Sequence, residues 1–216
     1  MSTRPLPSTA TQALKAMYSH PSPVILTALA AFFIGLRLWQ GNFQWQDAIA
    51  PLVIFAVWPF WEWAIHVFLL HFKPRTLFGK TVDFPLPKKH RQHHQQPWDL
   101  SIIFIHLGVF PVAVPLIVGL FYWLMPSVEL ATGALAMFFL LALNYEATHF
   151  LAHINWCPPI NYYRRRVRAH RLHHFRNENL WWGVSMGMGD KVLGTAPDEA
   201  TVERSPTVDN LHGLAG

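Results

Sequence analysis

"DAIAPLVIFAVWPFWEWAIHVFLLHF", Asp47 to Phe72, decides how the rest of the chain is read. From Asp47 to Leu70 it is apolar for long enough to cross a bilayer core, which takes about 20 residues of helix. Two histidines, His66 and His71, stand at its end. Five residues apart on an ideal α-helix, their rings would diverge by well over 100°. The helix is therefore expected to end or distort between them, and Pro74 in the "HFKP" that follows fits such an end.

Three more stretches have the same character: Pro23 to Trp39, Leu100 to Met125 and Val128 to His153. Pro21 and Pro23 suit the start of the first as a helix. With 52% hydrophobic residues and only 13% charged among 216, the chain is poorer in charge than a soluble domain, which carries about 25%. Lipid is the expected solvent. An all-α integral membrane protein follows, with four transmembrane helices under a histidine-rich helical cap. Residues 1–21 form a short N-terminal segment and 22–153 the four-span domain, of which 71–99 joins the cap. Residues 154–216 supply the remainder of the cap and a tail. The single cysteine, Cys157, excludes a disulfide framework and reads as an inert thiol.

Basic residues orient this arrangement. Lys73, Arg75, Lys80, Lys88, Lys89 and Arg91 lie between the second and third spans, and Arg164, Arg165, Arg166, Arg168, Arg171 and Arg176 follow the fourth. The other two connections, "QGNFQWQD" and "PSVE", carry none. The positive-inside rule then puts both termini and both basic segments on the cytoplasmic side. The arginine run itself reads as a solvated or lipid-headgroup face. No nucleic-acid partner is expected.

Ten of the thirteen histidines fall into four clusters: His66 and His71; His90, His93 and His94; His149 and His153; His170, His173 and His174. All four meet at the cytoplasmic end of the spans. Residues three or four apart share a helix face, so each H-x-x-H-H, and the His149/His153 pair, aims at least two rings at one point. Imidazole suits iron, zinc, copper and nickel. Ten rings exceed what one ion holds, since zinc takes four ligands and an octahedral iron six, so two ions are expected. The scarcity of carboxylates argues against calcium or magnesium, and the absence of H-E-x-x-H against a zinc protease. His106, inside the third span, reads as a polar group satisfied by a neighbouring helix, and His20 and His212 as solvated.

The ordered text "EWAIHVFLLHF", "KHRQHHQQPWD", "NYEATHFLAH", "HRLHHF" and "GDKVLGT" resembles the fatty acid hydroxylase superfamily of membrane di-iron oxygenases, and is most similar to its fatty acid 2-hydroxylase branch. That resemblance implies a four-helix membrane domain under a cytoplasmic cap, with His66, His71, His90, His93, His94, His149, His153, His170, His173 and His174 as metal ligands. It also implies two iron ions, for which zinc can substitute in purified protein, with O2 as co-substrate. The activity it implies is hydroxylation of a C–H bond of a lipid acyl chain drawn from the bilayer. The runner-up within the superfamily is a sterol or carotenoid oxygenase or desaturase. A non-catalytic membrane metal or haem protein is the reading from a different class. About twenty residues precede the first span, so no haem is expected in this chain. Electrons then come from a separate donor, a ferredoxin or cytochrome with its reductase, steered by Lys88, Lys89, Arg91 and Arg164 to Arg168. Glu62 and Glu146 stand close enough in sequence to orient ligand rings, or else pair as buried carboxylates with an arginine. The tryptophans of "FAVWPFWEW" and "NLWWG" read as interfacial anchors or as lining for a lipid tail.

Overall fold

The computed structural model describes residues 5–211, and His212 lies outside them. Among the described residues the chain is mostly helical: α1 (Ala10–Tyr18), α2 (Pro21–Gln40), α3 (Ile49–Ala64), α4 (Pro85–Gln95), α5 (Phe110–Leu124), α6 (Val128–Ala152), α7 (Asn161–Phe175) and the short α8 (Met188–Val192). Four helical stretches are long and apolar enough to cross a membrane: Pro21–Gln40, Trp45–Leu70, Leu107–Leu124 and Val128–Ala152. The first starts on Pro21 at its N-terminal position, where the missing N–H costs nothing.

Two expectations are corrected. The chain is not purely helical, because β1 (Arg75–Leu77) and β2 (Lys80–Val82) pair antiparallel. Phe78 and Gly79 between them both have positive φ, 52° and 76°, the backbone twist of a tight two-residue hairpin. The third span begins at Leu107, not Leu100. The backbone N–H of Ser101 donates to the Asp99 carboxylate at 3.0 Å, and that of Ile105 donates to Glu146 at 2.8 Å. Amides so engaged are not available to a helix, and the apolar run folds as turns.

Contacts divide the chain into two compact units. One takes Leu14–Trp58 and Phe104–Ala147, and thus most of the apolar helices. Its core is built on α6, where Ala131, Ala134 and Leu135 have no exposed surface; small side chains let helices approach closely in lipid. The Phe33 and Phe139 rings stack at 5.4 Å, and Trp58 meets Phe138 edge to face at 5.4 Å. Outward residues are as apolar as the core: Phe32, Val53, Phe55, Leu116 and Trp123 are all exposed. That pattern costs free energy in water and none in hydrocarbon. At the far end of α2, buried Arg37 donates to Asp47 at 2.5 Å and to the Gly41 carbonyl at 2.8 Å, so its charge is paired.

The other unit takes Pro59–Ile103 and the chain from Thr148 onward, with the N-terminal residues up to Ala13. It contains α4, α7, α8 and the hairpin. Arg91, expected on a docking surface, is instead buried. It donates to Asp83 at 2.5 Å and to the Phe72 carbonyl at 3.3 Å, tying α4 to the chain that leaves the second span. Arg171 donates to the carbonyls of Ala152 and Ile154 at 2.8 and 2.7 Å, satisfying the end of α6.

Gly189 in α8 lies so close to α3 that a Cβ there would stand 2.4 Å from the Pro59 carbonyl oxygen, whereas a Cβ on Gly35 meets nothing within 4 Å. Gly189→Ala is expected to cost about 1–3 kcal/mol through overpacking, and Gly35→Ala to be neutral or stabilising by up to about 1 kcal/mol. Thermal unfolding of the purified protein in detergent checks the pair.

Candidate metal centre

The helix does distort between His66 and His71. Ile65–Leu70 is a π-turn, and the His71 N–H donates to the His66 carbonyl five residues back at 3.0 Å. One extra residue per turn brings the two rings onto one side, with centroids 4.9 Å apart. Inserted turns of this kind recur at functional sites. On α4 and α7 the three- and four-residue spacings of H-x-x-H-H face rings inward without distortion. His149 and His153 do the same at the end of α6.

These elements gather all ten rings into two sets. His66, His71, His90, His94 and His173 form cluster A, and His93, His149, His153, His170 and His174 form cluster B; within each, one nitrogen from every ring lies within 4.8 Å of the others. Nine of the ten residues are buried, and His90 is half-buried. Each half of the sequence keeps four rings for its own cluster and lends the middle histidine of its H-x-x-H-H to the other: His93 goes to cluster B and His173 to cluster A. The sequence spacing shows that each motif converges on something, but not that it divides. The clusters share a wall, where the His94 and His174 rings stack at 4.0 Å.

The donor set fits cations. The His66 Nδ1–H donates to the Trp182 carbonyl at 2.6 Å. A neutral ring holds one N–H, so the Nε2 lone pair is bare, and it faces His90 Nε2 at 3.1 Å. His94 Nε2 stands 3.2 Å from that same His90 nitrogen, and in cluster B His149 meets His93 at 3.0 Å and His174 meets His170 at 3.0 Å, Nε2 to Nε2. Metal–imidazole bonds of about 2.0–2.1 Å set ligand nitrogens up to about 4 Å apart, close to the observed spread. Burial is the main reason the His90, His93, His94, His153, His170 and His174 rings are held well below the usual imidazole pKa, with the charge of neighbouring rings second. They are kept neutral, the form that binds a metal.

Cluster A rests on the loop after α7, whose tryptophans the sequence suggests only as anchors or lining. The Leu180 carbonyl accepts from His173 Nδ1–H at 2.8 Å, two residues before Trp182 accepts from His66. The Asp190 carboxylate takes the Trp182 and Gly183 N–H groups at 2.9 and 2.7 Å and the Thr195 hydroxyl at 2.6 Å. Glu62 accepts from the Ser185 hydroxyl and the Met186 N–H, both at 2.6 Å. Neither acid expected to orient a ring has one as a hydrogen-bond partner. Glu62 grips this loop, and Glu146 accepts from the Ser22 hydroxyl at 2.5 Å and from Ile105. Asp190 stands within "GDKVLGT", yet nothing in that string shows which amides it will meet.

Other expectations also shift. His106 lies at the start of the third span, exposed, its Nδ1 accepting from the Gly108 N–H at 3.2 Å. His20 is half-buried, not solvated, and stacks on Phe104 at 4.3 Å. Trp181 and Trp182 are buried, so they are not interfacial anchors. The Trp182 ring packs against His66, His71 and His173 at 5.3, 4.5 and 5.1 Å.

Long apolar helices ending in two buried five-imidazole sets define a helical membrane protein with a candidate two-metal centre. The fatty acid hydroxylase family model matches residues 51–195, a range that holds all ten histidines and Asp190, and the chain belongs to that family. It is 29% identical over 157 residues to dihydroceramide fatty acyl 2-hydroxylase FAH1 of Arabidopsis thaliana, covering 69% of this chain and 62% of the relative. It is 31% identical over 149 residues to human fatty acid 2-hydroxylase, covering 66% and 38%. The chain thus spans less than two thirds of the length of these curated relatives. A solved structure described as full-length scs7p, with only the hydroxylase domain visible, superposes with a TM-score of 0.66 at 21% identity, over 85% of this chain and 68% of that one; this likeness concerns the fold.

A pH dependence follows from the buried rings. Unfolded, they bind protons with the ordinary pKa of 6.5, whereas folded they resist protonation, so below about pH 6.5 the unfolded chain holds more protons and stability falls with pH. The metal-free protein is expected to keep a constant thermal midpoint above pH 7 and to lose it progressively toward pH 5. A midpoint that stays flat across that window would contradict the neutral buried state.

Proposed function

We propose that the protein is a membrane di-iron oxygenase that hydroxylates a C–H bond of a lipid acyl chain, in the manner of the fatty acid 2-hydroxylases it resembles. The observation that carries this reading is the gathering of ten buried imidazoles into two five-ring sets within a family of hydroxylases. In this reading cluster A holds one ion and cluster B the other, through the ten histidines named above. Five nitrogen donors exceed the four that zinc usually takes and suit iron, with zinc as a substitute in purified protein. When bound, a ferrous pair supplies electrons to O2 and brings its oxidising power to an unactivated C–H bond, chemistry that belongs to the metals.

The chain's own part is to present, aim and exclude. The carbonyls of Trp182 and Leu180 fix the rings of His66 and His173 with their Nε2 lone pairs turned into cluster A. Trp182 covers three rings of that cluster with apolar surface and keeps water from them. In this reading the membrane domain runs over 22–153 and the histidine-rich cap over 71–99 and 154–216, and the basic connections support a cytoplasmic side for the cap and both termini under the positive-inside rule. The electron donor is a separate ferredoxin or small cytochrome with its reductase. Exposed Lys88, Lys89, Arg164 and Arg165 give that surface the charge to steer an acidic partner. Arg91 is withdrawn from that role by its burial, and Arg168 is already paired with Glu199.

Elemental analysis is expected to find close to two ions per chain. Alanine at any one of His93, His94, His173 or His174 is expected to abolish activity, whereas His20→Ala keeps it within severalfold. Lipids of cells expressing the chain are expected to gain one oxygen by mass spectrometry. Purified protein is expected to turn over only with donor and reductase, at a rate that falls as salt screens the exposed charges. One haem per chain, or full turnover without a donor, would defeat the proposal.

A further inference from the structure

We infer that Asp190 is a positioning residue for one of the two metal sites only, so that the sites are inequivalent and cluster A can be emptied selectively through a residue that touches no ligand ring. The inference rests on the two-metal reading above. Its basis is an asymmetry in what surrounds the rings. Leu180 and Trp182 meet His66, His71 and His173 by hydrogen bond or ring contact, and all three belong to cluster A. In cluster B no ring meets these two residues: the Nδ1 atoms of His93, His170 and His174 are buried with no hydrogen-bond partner among the described residues, as is that of His94 in cluster A, and His149 is held by the backbone at Ile103, outside this loop.

The loop needs a brace. Trp181 has a φ of 54°, a left-handed conformation that is costly for a bulky residue and persists only where its surroundings enforce it. Its N–H donates to the Thr195 carbonyl at 2.8 Å, and the Thr195 N–H donates to the Asp190 carbonyl at 2.8 Å. The Asp190 carboxylate then takes the next two amides, Trp182 and Gly183, as well as the Thr195 hydroxyl. The fit at Gly183 is close: a Cβ there would stand 2.8 Å from Asp190 Oδ2 and 2.1 Å from the Met186 carbonyl oxygen. Asp190 thereby determines where the Trp182 carbonyl points, and that carbonyl sets the tautomer and rotation of His66. In Asp190→Asn one carboxylate oxygen becomes an NH2, which cannot accept a hydrogen bond. The side chain loses an acceptor for the Trp182 or Gly183 amide, and the loop loses its hold on the ring.

The test uses the purified full chain in detergent, loaded with cobalt(II), whose visible bands report ligand geometry, and challenged with a chelator. The wild type is expected to hold two ions. Asp190→Asn is expected to release one of them about 10–100-fold faster, the usual effect of losing a residue that orients a metal ligand, with the other unchanged. The cobalt spectrum it retains should match that of His66→Ala and differ from that of His174→Ala. Combining Asp190→Asn with His66→Ala should lose no further ion, and combining it with His174→Ala should lose the second. Thr195→Val, which removes one of the bonds to Asp190 and the bond its hydroxyl accepts from Trp63 Nε1–H at 3.0 Å, should speed release of the same ion in smaller measure, and Thr195→Ser, which keeps both, should restore it. If Asp190→Asn does not fold, the Thr195 pair carries the same comparison. Equal acceleration at both sites, or none, with two ions in the wild type overturns this inference alone. A wild type holding fewer than two ions overturns the two-metal reading with it.

Discussion

Everything around the centre answers one electrostatic requirement: bare imidazole nitrogens, buried and aimed at one another, repel unless something positive lies between them. Protonation would supply the charge, but burial opposes it at His90, His93, His94, His153, His170 and His174. A neutral ring has one N–H to give, enough for a pair such as His90 and His66 but not for five rings at one point. A cation between the rings serves all of them at once, and this is why the folded chain reads as a receptacle. The π-turn, the inward faces of α4 and α7 and the tight loop after α7 all serve that arrangement. Their local costs are met by packing elsewhere in the unit.

Much of this was legible in the sequence, for definite reasons. Four runs of apolar residues can hide from water only in lipid, and their positions follow from length alone. The five-residue gap between His66 and His71 cannot converge on an α-helix, so the distortion there was readable before its form was. The division of each H-x-x-H-H between two clusters was not readable. It depends on how α4 and α7 face each other, and helical spacing reports only a residue's own helix. The start of the third span was misread because hydropathy does not register that Asp99 and Glu146 take up the amides of Ser101 and Ile105. His106 and His20 were misplaced for a related reason: a single polar residue carries no periodicity, so its neighbours decide its fate.

The acids show a different limit. Glu62 and Glu146 were singled out because they stand near ligands along the chain, yet neither hydrogen-bonds to a ring. Asp190, far from most of the histidines in sequence, acts on one of them through two amides and a carbonyl. Side chains that control a metal site through the backbone leave no signature at the ligand motif. They are found by asking where each buried backbone group finds its partner.

The exchange of His93 and His173 between the halves bears on how the protein is made. A growing chain that has emerged through α6 and His153 has both two-histidine helix ends and one H-x-x-H-H, but only four of the five rings of cluster A and three of the five of cluster B. Neither set closes until α7 arrives with His170, His173 and His174. An ion captured before α7 arrives meets at most four imidazoles of a set in place of five. The interleaving makes both complete sets conditional on α7, so neither half of the sequence assembles a five-ring site alone.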